Sequence, residues 1–446
     1  MSVLVNAGQT QPIPLWRQLQ QVARMTHAVM GGQSLTALLE TVPANLRPGV
    51  QALSFHALRH WGAARAVRVL LAAKAPSAAV DALLCSALSL LLDESQQLYP
   101  EHTVVSQAVE AARREHKWMR QAGFINACLR RFVRERADLM DEITGIPVAV
   151  WNHPQWWVDQ IQADHPAHKS ALLGMAQHAP PMTLRVNLHK TNVATTLARL
   201  QEQGLGGKAV GVCGIQLERP VPVSQLPGFA QGEVSVQDAA AQIAAPLLLG
   251  GRTQDPLRVL DACAAPGGKT GHLLEWAPLA QVLALDVDAQ RAQKIEQNLQ
   301  RLQVQAQVHV ADAAEPTTWW DGQLFDAIML DAPCSASGIV RRHPDVRWLR
   351  RASDIPKLAT LQAKLLDVLW PLLKPGGRMV YCTCSVFKAE GENNVHAFLK
   401  RNTQAVLLPS PGHLIPGEAA KNLPVVDNQL GEHDGFYYAL LHKPAP

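Results

Sequence analysis

Residues 258–270 read RVLDACAAPGGKT, a short apolar strand that runs into a glycine-containing turn and then a helix. Gly267 and Gly268 permit a close approach of backbone to ligand, and Pro266 stiffens the turn. The string is neither G-x-G-x-x-G nor G-x-x-x-x-G-K-[ST], so it carries neither the dinucleotide nor the nucleoside triphosphate fingerprint. Further along, the pattern repeats. QVLALD (281–286), QVHVAD (307–312), FDAIMLDA (325–332), RMVYCTC (378–384) and FYYALLH (436–442) are short apolar runs separated by helical stretches. Such alternation predicts an α/β, Rossmann-like domain over 236–446, with a parallel sheet covered on both faces. Ligands of these sheets lie outside the carboxyl ends of the strands. Asp261, Asp286, Asp312, Asp331, Cys334 and Cys384 all fall at those ends.

Before this region the character differs. Residues 1–145 are rich in Ala, Leu, Gln and Arg, with apolar residues at helical spacing, as in LWRQLQQVARMTHAVM (15–30) and VDALLCSALSLLL (80–92). An all-helical domain is expected. The proline-containing stretch TGIPVAVWNHPQWW (144–157) breaks the period and marks its end. Residues 146–235 read as a small α+β unit, with a helix over 155–177, a strand at MTLRVNL and a second helix near 191–204.

The composition sets bounds. The 446 residues suggest roughly two to four domains. A hydrophobic share of 48% with 17% charged residues excludes a disordered chain. The net charge of +4 permits a phosphate-rich partner without demanding one. The longest uncharged apolar run, between Asp81 and Asp93, is too short for a bilayer, and MSVLVNAGQTQPIPLW lacks a leader's basic start and apolar core. A cytoplasmic protein without a membrane partner is expected. Seven cysteines in a chain this long do not make a disulfide scaffold. Cys85, Cys128 and Cys213 read as inert packing residues, and Cys382 as a small residue sharing a strand face with Cys384. No cysteine–histidine spacing suits zinc, and no metal is expected.

Asp286 lies about 20 residues past the glycine turn, where an acid that binds a ribose hydroxyl pair is expected. Acids at successive strand ends suit a ligand with a ribose, an adenine amine and a positive charge but no phosphate. S-adenosylmethionine is that ligand. Its expected site comprises Cys263, Ala264, Ala265, Pro266, Gly267, Gly268 and Lys269 of the turn, with Asp286, Asp312 and Asp331.

Two cysteines, Cys334 and Cys384, end neighbouring strands and could meet over one substrate. With VQDAAAQ (236–242), DACAAPGGKT (261–270), DAPCSASG (331–338), RRHPD (341–345), TCS (383–385) and HDGFYYA (433–439), the chain resembles the Nol1/Nop2/Sun family of RNA cytosine-C5 methyltransferases over essentially its whole length. Departures are slight: Ala241 stands where many members have Ser, Lys388 where Pro is common, and Tyr437 where Phe is usual. The resemblance implies a class I methyltransferase domain and a NusB-like RNA-binding helical domain. It makes PPMTLRVN (180–187) part of a small RNA-recognition-like unit, although the aromatic residues that stack bases in such units are absent there.

It also implies that Cys384 attacks carbon 6 of cytosine and that Cys334 assists product release. The ring becomes an enamine nucleophilic at carbon 5, so one hard step is split into easier ones. DNA cytosine methyltransferases use the opposite cysteine, which makes Cys334 the alternative nucleophile. By the same resemblance Asp331 faces the cofactor and the cytosine edge, and Lys269 polarises the site.

Two basic runs suit RNA. Arg113, Arg114, Lys117, Arg120, Arg130, Arg131, Arg134 and Arg136 flank GFINACLRR (123–131), which is similar to the NusB-like domain. Arg341, Arg342, His343, Arg347, Arg350 and Arg351 follow the Cys334 loop and are expected to hold the target's phosphates, with Trp348 available to stack on a base or to pack in the core. The target cytosine must be unstacked to reach the cysteines. The expected substrate is small-subunit ribosomal RNA, with no obligate protein partner. The rivals are a tRNA methyltransferase and a non-catalytic RNA-binding ribosome assembly factor.

Overall fold

The computed structural model describes residues 13–93, 98–417 and 430–445. The start of the chain read above for a leader lies largely in 1–12, outside the described residues. No helix among the described residues is long and apolar enough to cross a membrane. The chain divides into two compact units.

The first unit runs to Asp159 and takes in Ala176–His178 and His343–Arg350. It is helical, as expected. The helix Ala78–Ser89 is buried on nearly every side, because its stretch VDALLCSALS has no polar face to expose. Leu15–Met30 is amphipathic and turns Leu19, Val22, Ala23 and Val29 inward.

Residues 343–350 belong to this core. The Trp348 indole packs against it and donates to the Leu58 carbonyl at 2.9 Å. The Asp345 carboxylate accepts from the Leu35 N–H at 3.0 Å. Arg347 is fully buried and donates to the carbonyls of Asn152 and Ala176 at 3.2 and 2.6 Å. Burial pushes its guanidinium down to about 9. Arg347 and Trp348 are thus core residues, and the expectation that they meet phosphate and base is corrected. Local spacing could not reveal this, because their partners lie some 170–290 residues away.

The second unit holds two sheets. A four-stranded antiparallel sheet is formed by β1 (Thr183–Val186), β2 (Gly207–Val210), β3 (Gly214–Leu217) and β4 (Val234–Val236), in the order β2-β3-β1-β4. Leu184, Val186, Ile215 and Leu217 form a core on one face. The other face, with Thr183, Arg185 and Gln216, is buried as well. The helix expected over 155–177 is broken at Pro166 into Gln155–Asp164, a 3-10 turn and Lys169–Met175. The second helix spans Val193–Glu202, and the Asn192 side chain caps it by accepting from the Thr195 N–H at 2.8 Å.

The seven-stranded sheet comprises β5 (Arg258–Asp261), β6 (Gln281–Asp286), β7 (Gln307–Val310), β8 (Phe325–Asp331), β9 (Leu373–Thr383), β10 (Val406–Leu414) and β11 (Phe436–His442). Its order is β10-β11-β9-β8-β5-β6-β7. The strands from β7 to β9 are parallel, whereas β11 runs antiparallel to both its neighbours. Side chains alternate between two apolar cores: Val259, Met329 and Val380 enter one, and Leu260, Leu330 and Tyr381 the other. Burial on both faces explains the nearly continuous apolar runs. β10 was not expected. Its sequence VLLPSPGHL holds two prolines and a glycine, and pairing shifts between Leu408 and Gly412, which an edge strand tolerates. Chain order reverses at β5, between β6 and β8, and a ligand crevice opens at such a point.

Candidate active site

The turn after β5 leads directly into the helix Gly268–Trp276. Gly267 has φ +89°, and a Cβ there would come within 3.0 Å of the Ile295 backbone, so only glycine fits. Asp261 is 0% exposed. One of its oxygens accepts from the Thr270 hydroxyl at 2.7 Å, which ties the strand to the helix, and the other has no protein partner. Burial raises this carboxyl to about 7. Asp286 accepts from the N–H groups of Ala265 and Asp288 at 3.2 and 3.1 Å, so its carboxylate is locked to the turn. Asp312 is exposed just beyond β7, where it accepts from the Ala314 N–H at 2.9 Å. Val287, beside Asp286, is 68% exposed, an apolar surface that sequence reading missed.

Lys269 points from the helix start to Asp331 at the end of β8, with Nζ 2.6 Å from Oδ2. Burial alone would lower the lysine's pKa, but the charge of Asp331 and the neighbouring thiols outweigh it and raise it. The other Asp331 oxygen accepts from the Cys382 thiol at 3.5 Å. Cys382 lies in the core, and burial raises its pKa strongly. Burial also raises the pKa of Cys263 in the turn.

β8 and β9 are adjacent and parallel, with Asp331 opposite Cys382 in register. The loop that follows Asp331 is pinned at both ends: the Ala332 N–H donates to the Cys382 carbonyl and the Gly338 N–H to the Cys384 carbonyl, both at 2.9 Å. The sulfurs of Cys334 and Cys384 are thereby brought to 3.4 Å. A Cβ on Gly338 would lie 1.9 Å from the Gly435 carbonyl oxygen, so the loop, β9 and the HDG segment meet only through glycine. The hydrogen bond with Cys384 raises the Cys334 pKa well above that of a free thiol, and burial and the Glu390 charge add to it.

The other arginines of the second basic run do not face outward as a group. Arg341 is buried and pairs with Glu432 and Asp434; Arg342 pairs with Asp434 and, at 2.8 Å, with Asp238. They join the VQDAAAQ, RRHPD and HDG segments internally, whereas Arg351 is exposed. Sequence reading also missed Arg185. From the small sheet it reaches the glycine turn after β5, donating to the Gly268 carbonyl at 2.8 Å and to the Gln237 side chain at 2.6 Å, with a bidentate pair to Glu275.

Residues 248–442 match the family model for the 16S rRNA methyltransferase RsmB/F, and residues 153–224 match the ferredoxin-like domain of RsmF/B-like methyltransferases. The ribosomal RNA small subunit methyltransferase B of Cronobacter sakazakii is 44% identical over 346 residues, covering 77% of this chain and 78% of that protein. The chain belongs to the RsmB/F family of 16S ribosomal RNA methyltransferases. The Xanthomonas campestris ribosomal RNA small subunit methyltransferase B is 45% identical, with 77% of each chain covered. Among solved structures, a methyltransferase homolog protein from Pyrococcus horikoshii is similar with a TM-score of 0.55 and 26% identity, over 66% of this chain and 97% of that one. NSun6 from Pyrococcus horikoshii, solved with SFG, shares the fold with a TM-score of 0.54 at 19% identity, over 66% of this chain and 99% of that one. Within this family the methyl donor is S-adenosylmethionine. The methyltransferase has residues that fit it: a backbone turn opened by glycine, an acid at the β6 end and the unpartnered buried oxygen of Asp261.

Proposed function

We propose that this methyltransferase modifies carbon 5 of a cytosine in small-subunit ribosomal RNA through a transient bond between the Cys384 sulfur and carbon 6. The 3.4 Å contact between Cys334 and Cys384 carries this reading. The contact with Cys384, burial and the Glu390 charge all hold the proton on Cys334, which suits it less to attack than to assist. This supports Cys384 as nucleophile and Cys334 as the residue that assists release.

Cysteine 263 through Lys269, with Asp286 and Asp312, would hold the donor, and Val287 would give its adenine an apolar wall. When bound, S-adenosylmethionine supplies an electrophilic methyl group. The Asp331 carboxylate, held by Lys269, accepts from the protonated N3 edge of the cytosine and orients the ring. As Cys384 gives up its proton to a base and bonds to carbon 6, the ring's electron pair shifts to carbon 5, where it would form the new bond to the donor's methyl group. Loss of the carbon-5 proton to a base then re-forms the ring as the sulfur–carbon bond breaks, and Cys334 stabilises the departing sulfur.

The helical unit is proposed to be NusB-like and to supply phosphate contacts through Arg113, Lys117, Arg120 and Arg130, which are exposed. Arg131, Arg134 and Arg136 are engaged with acidic neighbours. The small sheet is not a base-reading surface in this scheme, because the face opposite its own core is covered. The reading places the protein in the cytoplasm, with its ribosomal substrate.

The test is bisulfite mapping after incubating purified protein and S-adenosylmethionine with naked 16S RNA, assembled small subunits and tRNA. The expected result is one protected cytosine in the ribosomal RNA. Modification of tRNA alone, or of another base, would overturn the proposal, and no methylation of any substrate would favour an assembly factor.

A further inference from the structure

Six residues beyond Cys384, the stretch VFKAEGENN places Glu390 in a short 3-10 turn, Lys388–Glu390, where a glutamate would ordinarily face solvent. Instead it is 0% exposed. Burying a carboxylate is costly unless hydrogen bonds replace water. One of its oxygens accepts from the Ser335 N–H at 2.8 Å and the Gln362 amide at 3.2 Å; the other accepts from the Ser385 hydroxyl at 2.6 Å and from the Ser335 hydroxyl. All four donors are neutral. Ser335 follows Cys334 and Ser385 follows Cys384, and their hydroxyl oxygens are 3.2 Å apart. Gln362 also donates to the Pro333 carbonyl at 2.9 Å, so the residues on both sides of Cys334 are held.

We propose that Glu390 is a positioning residue for the reaction, clamping the Cys334 loop against the Cys384 loop so that the two sulfurs stay in contact. The inference rests on the two-cysteine reading above and adds to it the group that assembles the pair. A strap alone would not need a charge. The titratable groups facing Cys334 include Cys384, Glu390 and Tyr381, and Tyr381 donates to the Glu390 carbonyl at 2.7 Å. The anion therefore also helps to keep the proton on Cys334.

The test uses Glu390→Gln in the full chain. The amide has the same shape, but both serine hydroxyls donate to one carboxylate oxygen, and an amide nitrogen in that place cannot accept them, so this side of the clamp is lost together with the charge. Two readouts are followed: the pH at which Cys334 is alkylated by iodoacetamide, resolved by peptide mass spectrometry, and methyl transfer to 16S RNA. The expected result is alkylation of Cys334 at lower pH than in the wild type, with kcat down about tenfold to a hundredfold and KM for RNA unchanged. Either readout staying at the wild-type value overturns the proposal. Ser335→Ala, which removes one strap but keeps the charge, is expected to lower kcat without moving the alkylation profile; wild-type turnover in it also overturns the clamp, and it decides the matter alone if Glu390→Gln fails to fold. Alkylation needs no RNA. If Cys384→Ser is fully active, the two-cysteine reading fails, while the profile of Glu390→Gln still judges the contact between Glu390 and Cys334.

Discussion

Replacing Arg185 by Met should both destabilise the second unit and loosen the glycine turn proposed to hold the cofactor. The side chains of Arg185 and Glu275 are 1% and 4% exposed, and two bonds of 2.7 and 2.8 Å join them. Arg185→Met leaves the Glu275 carboxylate buried without its cation, a loss of about 3–5 kcal/mol. At about 2–4 °C per kcal/mol for a domain of this order, the melting temperature should fall by roughly 6–20 °C. The double variant Arg185→Met/Glu275→Leu removes both charges and should recover most of that loss, because apolar replacement of a whole buried pair is often neutral. In both variants the Gly268 carbonyl loses its charged donor, worth about 1.5–3 kcal/mol, so S-adenosylmethionine should bind up to about tenfold to a hundredfold more weakly. Urea unfolding followed by tryptophan fluorescence, with calorimetric titration of the cofactor, measures both effects. A loss below about 1 kcal/mol in the single variant, or no recovery in the double, would mean that the Arg185–Glu275 pair does not hold the unit together.

Three further outcomes are expected. Burial raises Asp261 to about 7, so the fold holds a proton that the unfolded chain releases near pH 4. Its contribution to stability should fall as pH climbs from about 4 to about 7 and then level off, and Asp261→Asn should lose that slope in thermal melts; an unchanged difference between variant and wild type across the window would contradict this. Gly338→Ala forces a Cβ into the Gly435 carbonyl and should abolish methyl transfer while sparing cofactor binding, with retained turnover as the contrary result. Charge reversal at Lys117 and Arg120 should weaken RNA binding and reduce the slope of log affinity against log salt by about 1.4–1.8, and an unaltered slope would remove these residues from the interface.

The legible parts of the molecule were those written in adjacent residues. The strand–turn–helix at 258–270, the acids at strand ends and the cysteines after β8 and β9 all sit within local patterns, and a parallel sheet brings strand ends together without further instruction. Other features depend on partners remote in sequence. Trp348 and Arg347 looked like RNA ligands because they follow a basic run, yet their partners lie in the helical unit. Arg341 and Arg342 had the same appearance, but carboxylates at 238, 432 and 434 neutralise them. Arg185 alternates with apolar residues on β1 and so reads as a solvent-facing position, whereas Glu275, Gln237 and the Gly268 carbonyl meet it there. β10 carries two prolines, which conceal an edge strand from any reading based on propensity.

The most direct measurement is a denaturing gel of wild type, Cys384→Ser and Cys334→Ser after incubation with S-adenosylmethionine and labelled 16S RNA. A slow-migrating protein–RNA band is expected to accumulate in Cys334→Ser, where release is impaired, and to be missing from Cys384→Ser. A band that persists in Cys384→Ser and vanishes in Cys334→Ser would make Cys334 the nucleophile instead.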